Sequence, residues 1–285
     1  MVRLRVPITD KKRIVMNIHF TDKELFEKLK SATLAKVSIG SHLYGTSGPL
    51  SDEDFLYIYA TSENELKSFV WTNHQLQYKE EGIDHNFVSL HSFVRNIING
   101  DSTINFEVVH SQELKGTWLE FLHDLRNSFN TYTVMRSYNG LARRDCKHFT
   151  KGKTVYERRK RFGHIVRGWL YTDMLMRTAF TKTEFDFNEA NEEFKMHLEA
   201  FGGDITMTDV VAYAESLDAQ RRALNTRLED KQMPKMMDVQ NALNLQAAMS
   251  TIQNNCKDYA IAQSHLKDFD MSIFINAFEN WVSYE

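Results

Sequence analysis

The chain has 285 residues, 42% hydrophobic and 26% charged, which is enough apolar material for a sizeable core and excludes a disordered polyelectrolyte. Two cysteines, Cys146 and Cys256, exclude a disulfide framework or zinc cluster, and no run of about 18 apolar residues offers a transmembrane helix, so a soluble, cytoplasmic protein is expected. The net charge of −3 hides an asymmetry: Arg136 to Arg167 carries eleven Lys or Arg against two acids, whereas Thr181 to Glu285 carries nine against eighteen, so the middle of the chain is a candidate polyanion site.

The N-terminus holds Arg3, Arg5, Lys11, Lys12 and Arg13, but no apolar run of signal-peptide length follows. Thr21 and Asp22 open a short amphipathic helix around Leu25–Leu29, with Thr21 and Glu24 at capping-box spacing. Leu34–Ile39 reads as a strand, Gly40–Ser51 as a loop holding three glycines and a proline, and Phe55–Ala60 as the next strand. Extended segments follow at Gln75–Lys79 and Ile83–Val88, then a helix over Leu90–Ile98 that ends at Gly100. Beyond these the pattern is helical, with segments at Thr117–Phe129, Tyr156–Arg177, Glu189–Phe201, Asp209–Asp230, Asp238–Ile252 and Ser272–Trp281. The economical architecture is α+β: a mixed sheet with helices over residues 1–130, then an all-helical unit over 131–285.

The segment with chemical content runs from Val37 to Phe55. A strand enters Gly40-Ser41, a loop follows, and Asp52 and Asp54 arrive at the next strand. Residues i and i+2 of a strand share a face, so these two carboxylates stand side by side while Glu53 points away. Paired carboxylates repel unless a cation lies between them, and hard oxygen ligands suit Mg²⁺ or Mn²⁺. Gly40 lets phosphate oxygens approach the backbone, and Ser41 offers a hydroxyl and an amide. Two metal ions roughly 3.5–4 Å apart can activate an attacking oxygen and stabilise a leaving pyrophosphate.

The pattern Gly40-Ser41-x-x-Tyr44-Gly45-Thr46, followed by Ser51-Asp52-x-Asp54, resembles the signature of nucleotidyltransferases linked to RNA repair. These form a branch of the DNA polymerase β superfamily found in bacteria and phages. The similarity continues through Phe87–Phe93, Ile97–Gly100, Glu107, Asn139-Gly140-x-Ala142 and the helical Lys160, His164 and Arg167, covering roughly residues 34–175. Two departures stand out: Asp101-Ser102 replaces the family's Asn-Pro, and His42 occupies a loop position where a basic residue is usual.

The resemblance implies a polymerase-β-like catalytic domain using two Mg²⁺ (or Mn²⁺) ions and an NTP. It also implies a third carboxylate from a neighbouring strand, with Asp84 in Gly82–Val88 as the first choice and Glu107 in Ile104–Val109 as its competitor. On the helix at 156–177, Lys160, His164, Arg167 and Tyr171 recur as one polar stripe, opposite Phe162, Ile165, Val166 and Trp169. With His42, the stripe's Lys160, His164 and Arg167 are candidates for phosphate contact. Lys147, Lys151 and Lys153, beside an expected loop, are candidates for a longer nucleic acid.

The expected reaction is transfer of NMP from an NTP to an acceptor hydroxyl, with an RNA end such as that of a tRNA as acceptor. Transfer to a protein or small molecule, and a non-catalytic nucleotide sensor, are the alternatives.

Overall fold

The computed structural model describes residues 16–48, 51–67, 74–99, 102–124, 126, 131–152, 154–181, 184–201, 205–230 and 239–272. Its elements begin with strand β1 (Met16–His19), helix α1 (Lys23–Ser31) and the hairpin β2 (Thr33–Ile39) and β3 (Glu53–Tyr59). Next come α2 (Glu63–Lys67), β4 (His74–Glu80), β5 (Ile83–Ser89), α3 (Leu90–Asn99), α4 (Thr103–His110) and α5 (Glu120–Asp124). The rest is helical: α6 (Thr131–His148), α7 (Val155–Thr181), α8 (Phe187–Ala200), α9 (Met207–Glu229), α10 (Val239–Asn255) and α11 (Lys257–Ser264). No helix among the described residues is long and apolar enough to cross a membrane.

The five strands form one mixed sheet in the order β1-β4-β5-β3-β2. β2 and β3 are antiparallel, β3 and β5 parallel, β5 and β4 antiparallel, and β4 and β1 parallel. Alternation along β3 sorts its side chains onto two faces. Leu56 and Ile58 join Val37 and Val88 in the larger core, which continues through α3, α4, α6, α7 and α8. Tyr57 and Tyr59 pack on the other face with Phe26 and Leu29 of α1, Leu76 and Phe87. Leu266 and Phe269 also join that face, and Gln263 Nε2 donates to the Thr61 carbonyl at 2.8 Å. The chain's C-terminal helices therefore return to the sheet rather than forming a separate appendage.

Local details depart from the sequence reading for physical reasons. Asp22, not Thr21, caps α1, its Oδ1 accepting from the amides of Glu24 (2.8 Å) and Leu25 (3.3 Å). With Asp22 at the cap, the third helical position is Leu25, which has no polar group to reach back, so no capping box forms. The box occurs instead at α9, where Thr206 and Asp209 bond reciprocally. Ile104–Val109, which competed as a source of a strand carboxylate, is helical; Asn105 to His110 are all buried in α4, so this helix is enclosed on every side, with Asn105, Glu107 and His110 as its polar members.

β1, α6 and α11 carried no clear sequence signal. In α6, Thr131, Thr133, Val134 and Gly140 all lower intrinsic helix propensity, and the helix is held by burial of Tyr132, Met135, Tyr138 and Ala142. α5 is much shorter than 117–129, and residues 127–130, with the domain boundary near Asn130, lie outside the described residues. The expected helix 272–281 lies outside them from residue 273 onward.

α6 and α7 form the central helical pair, joined through a short 3-10 turn at Phe149–Lys151. Their close approach depends on Gly168. A Cβ there would stand 2.6 Å from that of Ala142 and 2.7 Å from the Tyr138 carbonyl oxygen.

Candidate active site

The loop between β2 and β3 begins with Gly40 at φ +66°, a conformation glycine adopts without strain. The loop then closes on itself: Tyr44 N–H donates to the Gly40 carbonyl (3.3 Å), Gly45 N–H to His42 (3.2 Å) and Thr46 N–H to Ser41 (2.9 Å). Ser41 is half-buried and His42 exposed. A Cβ on Gly40 would lie 2.8 Å from Asp54 Oδ2, so the carboxylate rests directly over the glycine backbone.

Asp54 and Asp84 are register partners on the parallel strands β3 and β5 and therefore share a face, the one that also carries Leu56, Ile58 and Val88 toward the helices. Asp52 precedes them at the mouth of β3 and is exposed. Burial, followed by the negative charge of Asp84, pushes the Asp54 carboxyl above its ordinary value; Asp52 adds to this, while Lys160 and Lys79 oppose it. Among the described residues, neither Asp52 nor Asp54 has a hydrogen-bond or ion-pair partner for its carboxylate.

Asp84 is braced through one oxygen. Its Oδ2 accepts from Lys79 Nζ (2.7 Å) and Gln77 Nε2 (3.1 Å), both on the same face of β4. In this arrangement no group of three or more His, Cys, Asp or Glu side chains among the described residues is close enough to hold a metal ion. The donor set still fits a hard divalent cation, because Asp54 carries a partly desolvated carboxylate with no direct partner among the described residues, and it feels the charges of Asp84 and Asp52.

Glu107 has a different task. It is buried, accepts from Tyr44 Oη at 2.5 Å through Oε2 and from Tyr138 Oη at 2.7 Å through Oε1. Burial drives both phenols well above their ordinary range, which keeps them as donors. Arg167 closes the cluster, its guanidinium 4.0 Å from the Tyr44 ring centroid and its Nε 3.9 Å from Glu107 Oε1. Asp84 is thus the register partner of Asp54, whereas Glu107 anchors the loop through Tyr44.

The stripe expected on α7 divides accordingly. Lys160 is exposed, and its charge acts on Asp54. His164 Nδ1 bonds the buried Asp145 Oδ2 at 2.8 Å; burial lowers this imidazole, against the Asp145 contact that raises it. Arg167 and Tyr171 are buried, the latter bonded to Asn191, so the polar stripe of the sequence reading is largely an interior network. Its residues alternate with apolar ones at helical spacing because two neighbouring helices, α6 and α8, supply polar partners.

Lys147 lies in the last turn of α6 and Lys151 in the 3-10 turn; Lys153 is outside the described residues. Lys151, Lys147 and Arg161 act on His148, whose imidazole is lowered first by desolvation and then by these three charges.

Sequence reading missed Gln77 and Lys79 as partners of Asp84, and the face of α8 that clasps the loop. Asn191 Nδ2 donates to the Leu43 carbonyl (3.5 Å), and Phe194 meets Tyr44 edge to face. A Cβ on Gly45, at φ +65°, would stand 2.7 Å from Lys195 Nζ. Some 150 positions separate these partners, so no local pattern announces them.

Residues 19–200 match the model of the RNA repair pathway DNA polymerase beta family, RlaP, well over half of the chain and every residue of the site just described. The chain belongs to this family. RlaP proteins are polymerase-β-like nucleotidyltransferases, and the mixed sheet with its helical companion is the fold expected of them. A relative in Enterobacteria phage T4, an uncharacterized 38.9 kDa protein in the nrdC-mobD intergenic region, is 31% identical over 139 residues. That alignment covers 43% of this chain and 40% of the phage protein, so the chain spans well under half of the curated relative it matches.

Proposed function

We propose that this RlaP protein transfers a nucleoside monophosphate from an NTP to a hydroxyl at an RNA end, such as that of a tRNA, and releases pyrophosphate. The observation that carries this reading is the register pairing of Asp54 with Asp84, beside Asp52 and directly over Gly40. In it, residues 1–130 form the catalytic unit, and residues 131–285 hold it and contribute cations.

Asp52 and Asp54 would hold Mg²⁺ or Mn²⁺, with Asp84 completing the set through Oδ1, the oxygen clear of Lys79 and Gln77. When bound, such ions neutralise triphosphate charge and make an attacking hydroxyl more acidic. The chain does the rest. Gly40 and Ser41 present backbone amides and a hydroxyl to the β- and γ-phosphates, and His42 lies on the open side of that loop. Lys160 offsets negative charge next to Asp54. The acceptor oxygen attacks the α-phosphorus, its proton passes to a site carboxylate or to water, and the bond to the leaving pyrophosphate breaks. The cations around His148 provide a track for an acceptor strand.

Incubation with each α-labelled NTP, Mg²⁺ or Mn²⁺, and cellular RNA or protein tests the reading. Label in RNA that falls on the order of 10³-fold in Asp54→Asn supports it. Label in protein alone would move the acceptor class, and no transfer under any condition would sink the reaction.

A further inference from the structure

The sequence motif contains one feature that the transfer chemistry leaves unused, the Tyr44-Gly45 pair. Tyr44 turns inward to Glu107, and two observations bear on Gly45. Its φ of +65° favours glycine, and the space its side chain would fill is already taken by the end of Lys195, with Cε at 2.6 Å and Nζ at 2.7 Å from an ideal Cβ position.

Lys195 reaches this seat from α8, whose Asn191 and Phe194 hold Leu43 and Tyr44 of the same loop. Asn191, Phe194 and Lys195 follow the i, i+3, i+4 spacing of one helix face, so that face is built against residues 43–45. Because Thr46 N–H bonds the Ser41 carbonyl at 2.9 Å, the loop is a single compact turn, and a cation on Gly45 stands within one turn of Ser41.

The ammonium, on a side chain 30% exposed, is paired on its own helix with a carboxylate that faces solvent. Among the described residues its ion-pair partner is Glu192 on its own helix, at 2.6 Å, and the Glu192 side chain is 69% exposed. Exposed pairs of this kind contribute little and exchange readily for a better anion. Meanwhile two side chains of the α7 stripe are committed elsewhere, His164 to Asp145 and Arg167 to the Tyr44–Glu107 cluster.

From this geometry we propose that Lys195 is a nucleotide-binding residue, which leaves Glu192 to grip the polyphosphate of the NTP held by the Gly40–Thr46 loop. The assignment rests on the nucleotidyl-transfer reading for its ligand, but not for its measurement.

The test is calorimetric binding of inorganic tripolyphosphate with Mg²⁺ to the full chain and to Lys195→Met, Lys195→Arg and Glu192→Gln. Lys195→Met keeps the apolar stem over Gly45 and removes only the charge. Binding weakened about 10-fold or more in Lys195→Met, restored to within a few-fold in Lys195→Arg and equal or tighter in Glu192→Gln is the expected result. Unchanged binding in a folded Lys195→Met, or no binding by the unaltered chain, overturns the proposal. Label transfer measured in parallel separates the two ideas. A chain that binds tripolyphosphate through Lys195 yet transfers nothing loses the reaction and keeps the site. A chain that transfers label with KM for NTP unaffected by Lys195→Met does the reverse.

Discussion

Gly40 lies beneath the carboxylate of Asp54, with no room for a methyl group between them. Gly40→Ala must therefore push the carboxylate off its position, and it also forces an L side chain to φ +66°. A shift of about 1 Å at a reacting centre costs on the order of 10²-fold in rate. The expected outcome is a loss of that size in label transfer, with a loss of stability of about 1–2 kcal/mol. Transfer rates and urea denaturation of the same preparation check both numbers.

Glu107 supports the loop from the opposite side. Glu107→Ala leaves Tyr44 and Tyr138 without their acceptor and Arg167 without its countercharge, all of them buried. Breaking a buried charged contact from one side costs about 3–5 kcal/mol. Tyr44→Phe removes a single hydrogen bond and is expected to cost about 1–2 kcal/mol. Equilibrium unfolding of the two variants should rank them in that order; equal effects would remove Glu107 from the anchoring role.

The α6–α7 contact gives a third outcome. Gly168→Ala raises helix propensity by about 1 kcal/mol, yet its methyl meets the fixed Tyr138 carbonyl and Ala142. Overpacking against backbone typically costs about 1–3 kcal/mol. Net destabilisation is expected, visible as a lower thermal midpoint. A rise in that midpoint would show that the two helices can separate freely.

Glu65 governs a pH dependence away from the site. The residue is only half-covered, but its carboxyl turns inward to Ser62, Tyr59 and Ser89, and burial pushes it up to about 7. The folded state therefore holds a proton that the unfolded chain releases near 4.5. The contribution of Glu65 to stability is fully present below about 4.5 and is lost as pH rises through about 7, with a total effect on the order of 2–3 kcal/mol. Glu65→Gln should exceed the unaltered protein in stability at pH 8 and match it closely at pH 4. Parallel denaturation curves at both values decide this.

Much of the arrangement of the candidate site could be read from the sequence because it is local. Gly40, Asp52 and Asp54 fall within fifteen positions, and a two-residue period is enough to put two carboxylates on one face. Asp84 was reachable for the same reason, once Ile83–Val88 was read as a strand. What escaped is long-range. Arg167 looks like a phosphate ligand on a helical wheel, and only the arrival of Tyr44 and Glu107 from other elements makes it an interior residue. Helix α4 was ambiguous because a segment buried on all sides has no amphipathic period to distinguish it from a strand. Lys79 and Lys195 acquire meaning only through a sheet register and a helix docking that no short window contains.

The bond from Tyr44 to Glu107, continued to Tyr138, ties the aspartate-bearing hairpin to helices far along the chain. A fragment cut near residue 130 would keep Asp52, Asp54, Asp84 and the Tyr44–Glu107 bond, yet lose Tyr138, Arg167 and the α8 side chains that complete the loop's support. If the two pieces were produced separately, activity should return only on mixing, which makes the reaction centre a property of the seam between them and suits the chain to split-protein complementation.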